Sequence, residues 1–247
     1  MQHEPAPHDL VTPEVVLAPA KLTVSLRVTG VRADGLHLID AEMVSIDLCD
    51  EMRIGPGDGL EVVGATGLAV PATGENLVCR ALRVAGRTAH IHLTKRIPAG
   101  AGLGGGSSDA AAVLRWAGFD DLDRAADLGA DVPFCIRGGR ARVQGIGELI
   151  DQLPFVSRTF TLLTPSLACS TPAVYRAWDD LGGPIGEHDN DLEPAALVVE
   201  PAMARWRDRL GNATGVAPVL AGSGSTWFVE GEFPDAGLVV RTLPAHG

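Results

Sequence analysis

The stretch "IPAGAGLGGGSSDAAAVLRW", residues 97–116, decides how the chain is read. Five of the seven residues from Gly100 to Gly106 are glycine; two serines, an aspartate and a run of alanines and aliphatics follow. Upstream, "AHIHLTKRI" (89–97) has period two, with Ile91, Leu93 and Ile97 on one side and His90, His92 and Arg96 on the other. That pattern predicts a strand. Downstream, "SSDAAAVLRWAG" (107–118) predicts a helix with a serine or aspartate cap and a stop near Gly118. A helix N-terminus carries unpaired N–H groups and a partial positive charge, so it attracts anions. Glycines ahead of it let backbone amides wrap closely around phosphate oxygens. Ser107 and Ser108 add hydroxyl donors, or one of them ligates a metal. No lysine follows the last glycine at Walker A spacing, and no βαβ unit with a downstream acid frames a dinucleotide site. A flexible linker would need neither the strand nor the helix, so a phosphate loop is the preferred reading.

Working outward, the 247 residues suffice for one large domain or two modest ones with a sizeable core. The formal net charge of −11, with 20 Lys plus Arg against 31 Asp plus Glu, argues against nucleic acid and anionic membranes as partners. It leaves room for a small basic pocket that takes a phosphorylated small molecule. Cys49, Cys79, Cys135 and Cys169 are far apart and form no CxxC, so they read as reduced thiols rather than a disulfide framework or zinc site. The opening "MQHEPAPHDLVTPEVV" lacks the apolar core of a signal peptide, and no apolar run approaches the ~20 residues of a membrane span. The expected location is cytoplasmic.

Residues 1 to about 13 read as a loose tail. "VVLAPAKLTVSLRVTG" (15–30) and "EMVSIDLCDEMRIG" (42–55) read as strands, with a turn through Asp34-Gly35 between them. "NLVCRALRVAG" (76–86) has helical spacing. In the second half "RTFTLLTPS" (158–166) reads as a strand, and "STPAVYRAWDDLG" (170–182) as a helix with Thr171 as N-cap and Pro172 at its first position. "PAALVVEPAMARWRDRLG" (194–211) is helical on both sides of Pro201, which splits or kinks it. "AGLVVRTLP" (236–244) is a last strand. Strands and helices mix without βαβ alternation, which points to an α+β fold.

Several segments together carry a resemblance. "PAGAGLGGGSSDAA" (98–111) resembles the phosphate loop of the GHMP kinases. "APAKLTVSLRVTGVRADGLH" (18–37), "GADVPFCIRGGRARVQGIGE" (129–148), "NDLEPAA" (190–196) and "VLAGSGSTWFVEG" (219–231) are similar, in order, to motifs of the isoprenoid branch of that family outside the mevalonate route. The resemblance covers residues 16 to about 232. It implies a two-lobed α+β fold, with a ribosomal-protein-S5-like lobe over 1–150 and a ferredoxin-like lobe over 151–247. It also implies ATP as co-substrate with Mg²⁺, and a cytidyl-methylerythritol alcohol as acceptor, phosphorylated on its 2-hydroxyl.

Residue by residue, Pro98, Ala99, Gly100, Ala101, Gly102, Leu103, Gly104, Gly105, Gly106, Ser107 and Ser108 fall on the nucleotide loop. Asp131 of "GADVP" falls on the proton acceptor and Lys21 of "PAKL" on its cationic partner. A carboxylate beside an ammonium stays ionised and can take the hydroxyl proton, while the ammonium offsets charge developing on oxygen. His37 matches a histidine set against cytosine, Tyr175 an aromatic that stacks on the base, and Ser108 a metal contact. The run "AGSGS" (221–225) is expected to enclose substrate or phosphate. Two positions depart from the pattern: Thr23 stands where the family has Asn, and Leu36 where it has Tyr as the second face of the cytosine sandwich. The chain is also trimmed before "RTAHIHL" and between "RWAG" and "LGADVP". A kinase for another small alcohol and a catalytically silent nucleotide-binding relative therefore stay beside the first reading.

Overall fold

Two long strands, β1 (Glu14–Val31) and β2 (His37–Gly55), run antiparallel and form the spine of the first half. The computed structural model describes residues 12–64, 74–167 and 169–246; the expected loose tail lies outside these up to residue 11. Chain order continues with β3 (Gly59–Val63), α1 (Leu77–Val84), β4 (His90–Thr94), α2 (Gly105–Trp116), α3 (Leu122–Ala126), α4 (Val132–Arg137), β5 (Arg140–Gly145) and β6 (Leu149–Leu153). One edge of β2 carries β1. The other is shared, with β5 along Ile39–Val44 and β4 along Glu51–Gly55. All pairs in this six-stranded sheet are antiparallel except β3 with β4. The period-two reading of β4 holds, since Ile91 and Leu93 are both fully buried.

The second half contains β7 (Thr159–Leu163), α5 (Thr171–Asp180), α6 (Glu193–Val199), a 3₁₀ turn (Pro201–Met203), α7 (Ala204–Thr214), β8 (Val219–Leu220), β9 (Trp227–Glu230) and β10 (Leu238–Arg241). Its four strands lie in the order β10-β7-β9-β8, all antiparallel. Pro201 splits the long helical pattern as its missing N–H requires. The fold is α+β. Among the described residues, no helix is long and apolar enough to cross a membrane.

Two helix starts differ from expectation. α2 is not capped by a serine or aspartate: it begins at Gly105, its N-cap is Gly104 with φ +67°, and no side chain caps it. α5 has Ser170, not Thr171, at its N-cap, and Pro172 falls at the second helical position. In both, the backbone conformation ahead of the helix sets the start, and the hydroxyls are used elsewhere.

A core cluster of Ala20, Leu22, Val44, Ile46, Ile97, Ala101, Leu103, Phe160, Leu162, Ala221, Phe228 and Val240 joins the two sheets. It includes two residues of the glycine stretch. Fully burying a side chain such as Leu103 is worth about 1.5–3 kcal/mol, so the loop is pinned from behind by its apolar members. After β10 the chain returns to the first sheet. Leu243 N–H donates to Ser45 C=O at 2.8 Å and His246 N–H to Arg137 C=O at 2.9 Å. Ala245 bridges Gly138, the residue that ends α4.

Candidate active site

The glycine stretch is rigidly specified. Gly102 has φ +79°, and a Cβ there would run into the carbonyls of Ala221 and Gly224. Gly104 has φ +67°, and a Cβ there would lie 2.7 Å from Lys21 Cγ. Backbone bonds fix the loop to its surroundings: Lys21 N–H donates to Leu103 C=O at 3.1 Å and Thr226 N–H to Ala101 C=O at 3.2 Å. These contacts present the loop and the first turn of α2 to a cavity of about 580 Å³. The cavity is lined by every residue from Pro98 to Ser107, with Lys21, Thr23, Asp131, Tyr175, Gly222 and Ser223. Free amides at a helix start, facing such a volume, suit an anion.

Lys21 and Asp131 meet on the cavity wall. Lys21 Nζ lies 3.4 Å from Asp131 Oδ2 and donates to Thr23 Oγ1 at 2.9 Å. β1 supplies the lysine and the N-cap position of α4 the aspartate. The Lys21 side chain is 7% exposed and that of Asp131 29%, so the carboxylate has open space in front of it. Thr23 is buried and occupied by Lys21.

Ser108 departs from its expected place. It is fully buried, its hydroxyl donates to the Pro19 carbonyl, and it is absent from the cavity wall. The helix starts at Gly105, earlier than expected, and Ser107 is the serine that lines the cavity. The structure brings His37 and Tyr175 together, their rings 4.6 Å apart between centroids and tilted by 31°. His37 Nε2 is 2.8 Å from Asp179 Oδ1, and its ring meets the edge of Trp178. Tyr175 lines the cavity and His37 does not. Burial, with Asp131 nearby, pushes the Tyr175 phenol up to about 12, so it stays a neutral donor. Leu36 is 46% exposed. The 221–225 run does border the cavity, through Gly222 and Ser223, and Ser223 Oγ lies 2.8 Å from Thr171 Oγ1.

Sequence reasoning missed a second charged group. Lys95 Nζ is held between Asp50 Oδ2 and Asp109 Oδ2, the latter at 2.7 Å, and all three side chains are buried. Lys95 and Asp109 line the cavity behind the loop. Asp50 Oδ1 also accepts the Ile97 N–H at 2.8 Å, just before the glycines. Asp109 Oδ1 is buried with no partner among the described residues. Burial, reinforced by Asp50 and only partly countered by Lys95, pushes the Asp109 carboxyl up to about 7. Burial alone would lower the Lys95 ammonium, but the two carboxylates outweigh it and hold it above its usual value. Parity was the available signal, since Lys95 is in phase with Ile91, Leu93 and Ile97 on the buried face.

The family described as GHMP kinases N terminal domain matches residues 76–139. The 4-diphosphocytidyl-2-C-methyl-D-erythritol kinase of Paracoccus denitrificans is 40% identical over 232 residues, covering 85% of this chain and 84% of its own length. That of Ruegeria pomeroyi is 36% identical, covering 92% and 91%. A crystal structure of a 4-(cytidine 5'-diphospho)-2C-methyl-D-erythritol kinase has TM-score 0.74 at 32% identity, over 95% of this chain and 100% of that one. A crystal structure of homoserine kinase from Cytophaga hutchinsonii, TM-score 0.58 at 19% identity, covers 96% of each chain and shares the fold.

Proposed function

The chain belongs to the 4-diphosphocytidyl-2-C-methyl-D-erythritol kinase family of the GHMP kinases, and we propose that it transfers the γ-phosphoryl group of ATP to the 2-hydroxyl of 4-diphosphocytidyl-2-C-methyl-D-erythritol. The products are ADP and the 2-phosphate. The observation that carries this reading is the Lys21–Asp131 pair, 3.4 Å apart, on the same cavity wall as the glycine loop. Phosphoryl transfer asks mainly for positioning and charge stabilisation. The acceptor O–H gives its proton to Asp131 as its oxygen bonds to phosphorus and the bridge to the β-phosphate breaks. Lys21, 3.4 Å from the Asp131 carboxylate, offsets negative charge on the entering oxygen. The amides from Gly104 to Ser107 cradle the phosphates. The 1–150 lobe brings the loop, Lys21 and Asp131, and the 151–247 lobe brings Tyr175, with the enzyme working in the cytoplasm.

Mg²⁺ fits this wall as an ion carried by the nucleotide. Among the described residues there is no cluster of three or more His, Cys, Asp or Glu to cage it, and magnesium is commonly held by phosphates plus one or two protein oxygens. The Ser107 hydroxyl and the unpartnered Asp109 oxygen are the oxygens that would hold it. When bound it neutralises charge on the transferring phosphates.

A second reading, a kinase for another small alcohol, is favoured by Leu36 and Thr23, which depart from the family pattern. An ATP-consumption assay over a panel of alcohols separates the two. The first expects turnover with the cytidyl substrate far above homoserine or mevalonate. Turnover with another alcohol alone, or with none, would overturn it.

A further inference from the structure

Asn190 carries chemistry that the transfer reading does not use. It is 1% exposed and lies outside the cavity wall. Its side-chain amide has two N–H donors, and both are taken: Nδ2 donates to the carbonyls of Leu220 and Gly222, each at 2.7 Å. Its Oδ1 accepts the Leu192 N–H at 2.9 Å. The backbone around it is tied to the strand that bears Lys21. Leu26 N–H donates to Asp189 C=O at 2.7 Å, and Asp191 N–H donates to Leu26 C=O at 3.0 Å. The Asp191 carboxylate accepts the Val28 N–H at 3.0 Å and the Arg27 guanidinium at 2.9 Å. Asn190 thus links two things far apart in sequence, β1 and the Leu220–Gly222 backbone.

What that backbone faces gives the link a use. An atom at the Cβ position of Gly222 would lie 3.4 Å from Lys21 Nζ and 3.7 Å from Thr23 Oγ1. Gly222 is therefore the wall directly opposite the lysine. We propose that Asn190 is a positioning residue for phosphoryl transfer, setting the distance between the Gly222–Ser223 backbone and the Lys21 ammonium by holding two carbonyls at once. The inference rests on the reading of Lys21 as a transfer residue. Holding both carbonyls requires a side chain with two donors at this reach. Aspartate would set acceptors against acceptors, and an apolar isostere would leave both carbonyls unpaired.

The test is Asn190→Asp, measured beside wild type. Displacements of about 1 Å around reacting groups can slow turnover up to roughly 10²-fold, so kcat is expected to fall roughly 10- to 100-fold. The dissociation constant of MgADP, taken up by the intact loop, should change little. Lowering the pH should shrink the deficit relative to wild type, because the protonated carboxyl regains one donor. A residue that only holds the fold would lower the melting temperature, leave kcat per folded site at the wild-type value and show no recovery at low pH.

A second readout needs no acceptor. The chain has two lysines, Lys21 and Lys95, and both are buried in the cavity walls. With an amine-reactive reagent and mass spectrometry, Lys21 should label several-fold faster in Asn190→Asp, and Lys95 at the wild-type rate. A folded Asn190→Asp protein with wild-type kcat and wild-type Lys21 labelling overturns the inference. If wild type itself turns over no cytidyl substrate, the transfer reading fails, and labelling alone decides on Asn190. Should Asn190→Asp not fold, Asn190→Ser keeps one donor and is read the same way, with an intermediate loss expected.

Discussion

Two lysine–aspartate arrangements stand at the cavity, and they differ in what surrounds them. Lys21 and Asp131 form a one-to-one pair whose carboxylate is 29% exposed. Lys95 is shared by two carboxylates, and the side chains of Lys95, Asp50 and Asp109 are 3%, 0% and 4% exposed. In the open pair, Asp131 faces the cavity and reaches solvent without its partner, while the buried Lys21 keeps the Thr23 hydroxyl when Asp131 is replaced, so the fold is expected to tolerate that loss. In the buried cluster, removing the cation strands two carboxylates in a medium that cannot solvate them. On the proposed reading, similar groups near one loop divide the work of reaction and architecture, and the division follows from how far each carboxylate reaches solvent.

The largest expected effect is on the open side. Asp131→Asn keeps size and shape but removes the proton acceptor, and kcat should fall by about 10²–10⁴-fold. The urea midpoint should stay nearly unchanged. Steady-state kinetics and a urea titration on the same preparation check both halves; near-wild-type turnover would make Asp131 structural and erase the contrast. Next, Lys95→Met should destabilise the fold by about 3–5 kcal/mol in urea unfolding, the usual result of orphaning a buried charge. A loss under about 1 kcal/mol, the ordinary worth of an exposed pair, would remove the contrast between the cluster and Lys21–Asp131.

A pH series sharpens the comparison further. The Asp109 carboxyl is raised to about 7 from 3.8, so between those values the native state holds a proton that the unfolded chain has released. Stability from this group is fully present below the unfolded value and is lost as pH rises through about 7. Asp40, Glu42 and Glu230 lie below their usual values beside Arg142, Arg140 and Arg158, and push the opposite way as pH falls. The difference between wild type and Asp109→Asn isolates the Asp109 contribution. Unfolding free energies from pH 5 to 8 should show the wild type losing stability relative to the variant as pH rises; parallel curves would refute it. The smallest effect is expected away from both pairs. Leu36→Tyr supplies the aromatic face that the family pattern has and this chain lacks, worth about 1 kcal/mol or roughly fivefold in KM for the cytidyl substrate. It should leave kcat untouched, and unchanged KM would detach Leu36 from base recognition.

Much of this was legible before any coordinates. Period two gave β4, the glycines and alanines gave α2, and Pro201 gave the break between α6 and α7. Local rules failed where a distant partner decides. Ser107, Ser108 and Asp109 have the chemistry of a cap, yet Gly104 in the left-handed region starts the helix. Ser108 then turns to Pro19 and Asp109 to Lys95. Asp50, 45 residues before Lys95, carries no local sign of that partnership. The contact between His37 and Tyr175 depends on how α5 packs over the first hairpin, which no spacing rule encodes. β5 was not read from the sequence, although Arg140 and Arg142 alternate there with the buried Ala141 and Val143.

The return of residues 243–246 to Ser45, Arg137 and Gly138 has a consequence in time. A ribosome delivers the chain from its N-terminus, and early segments ordinarily begin to fold before later ones exist. Here α4, which opens at Asp131, is finished at its far end by Ala245 and His246. The helix that seats the mid-chain carboxylate thus acquires its last support more than a hundred residues later. The nascent polypeptide can assemble its long hairpin and glycine loop early, while the seat of Asp131 is closed only once residue 246 has emerged.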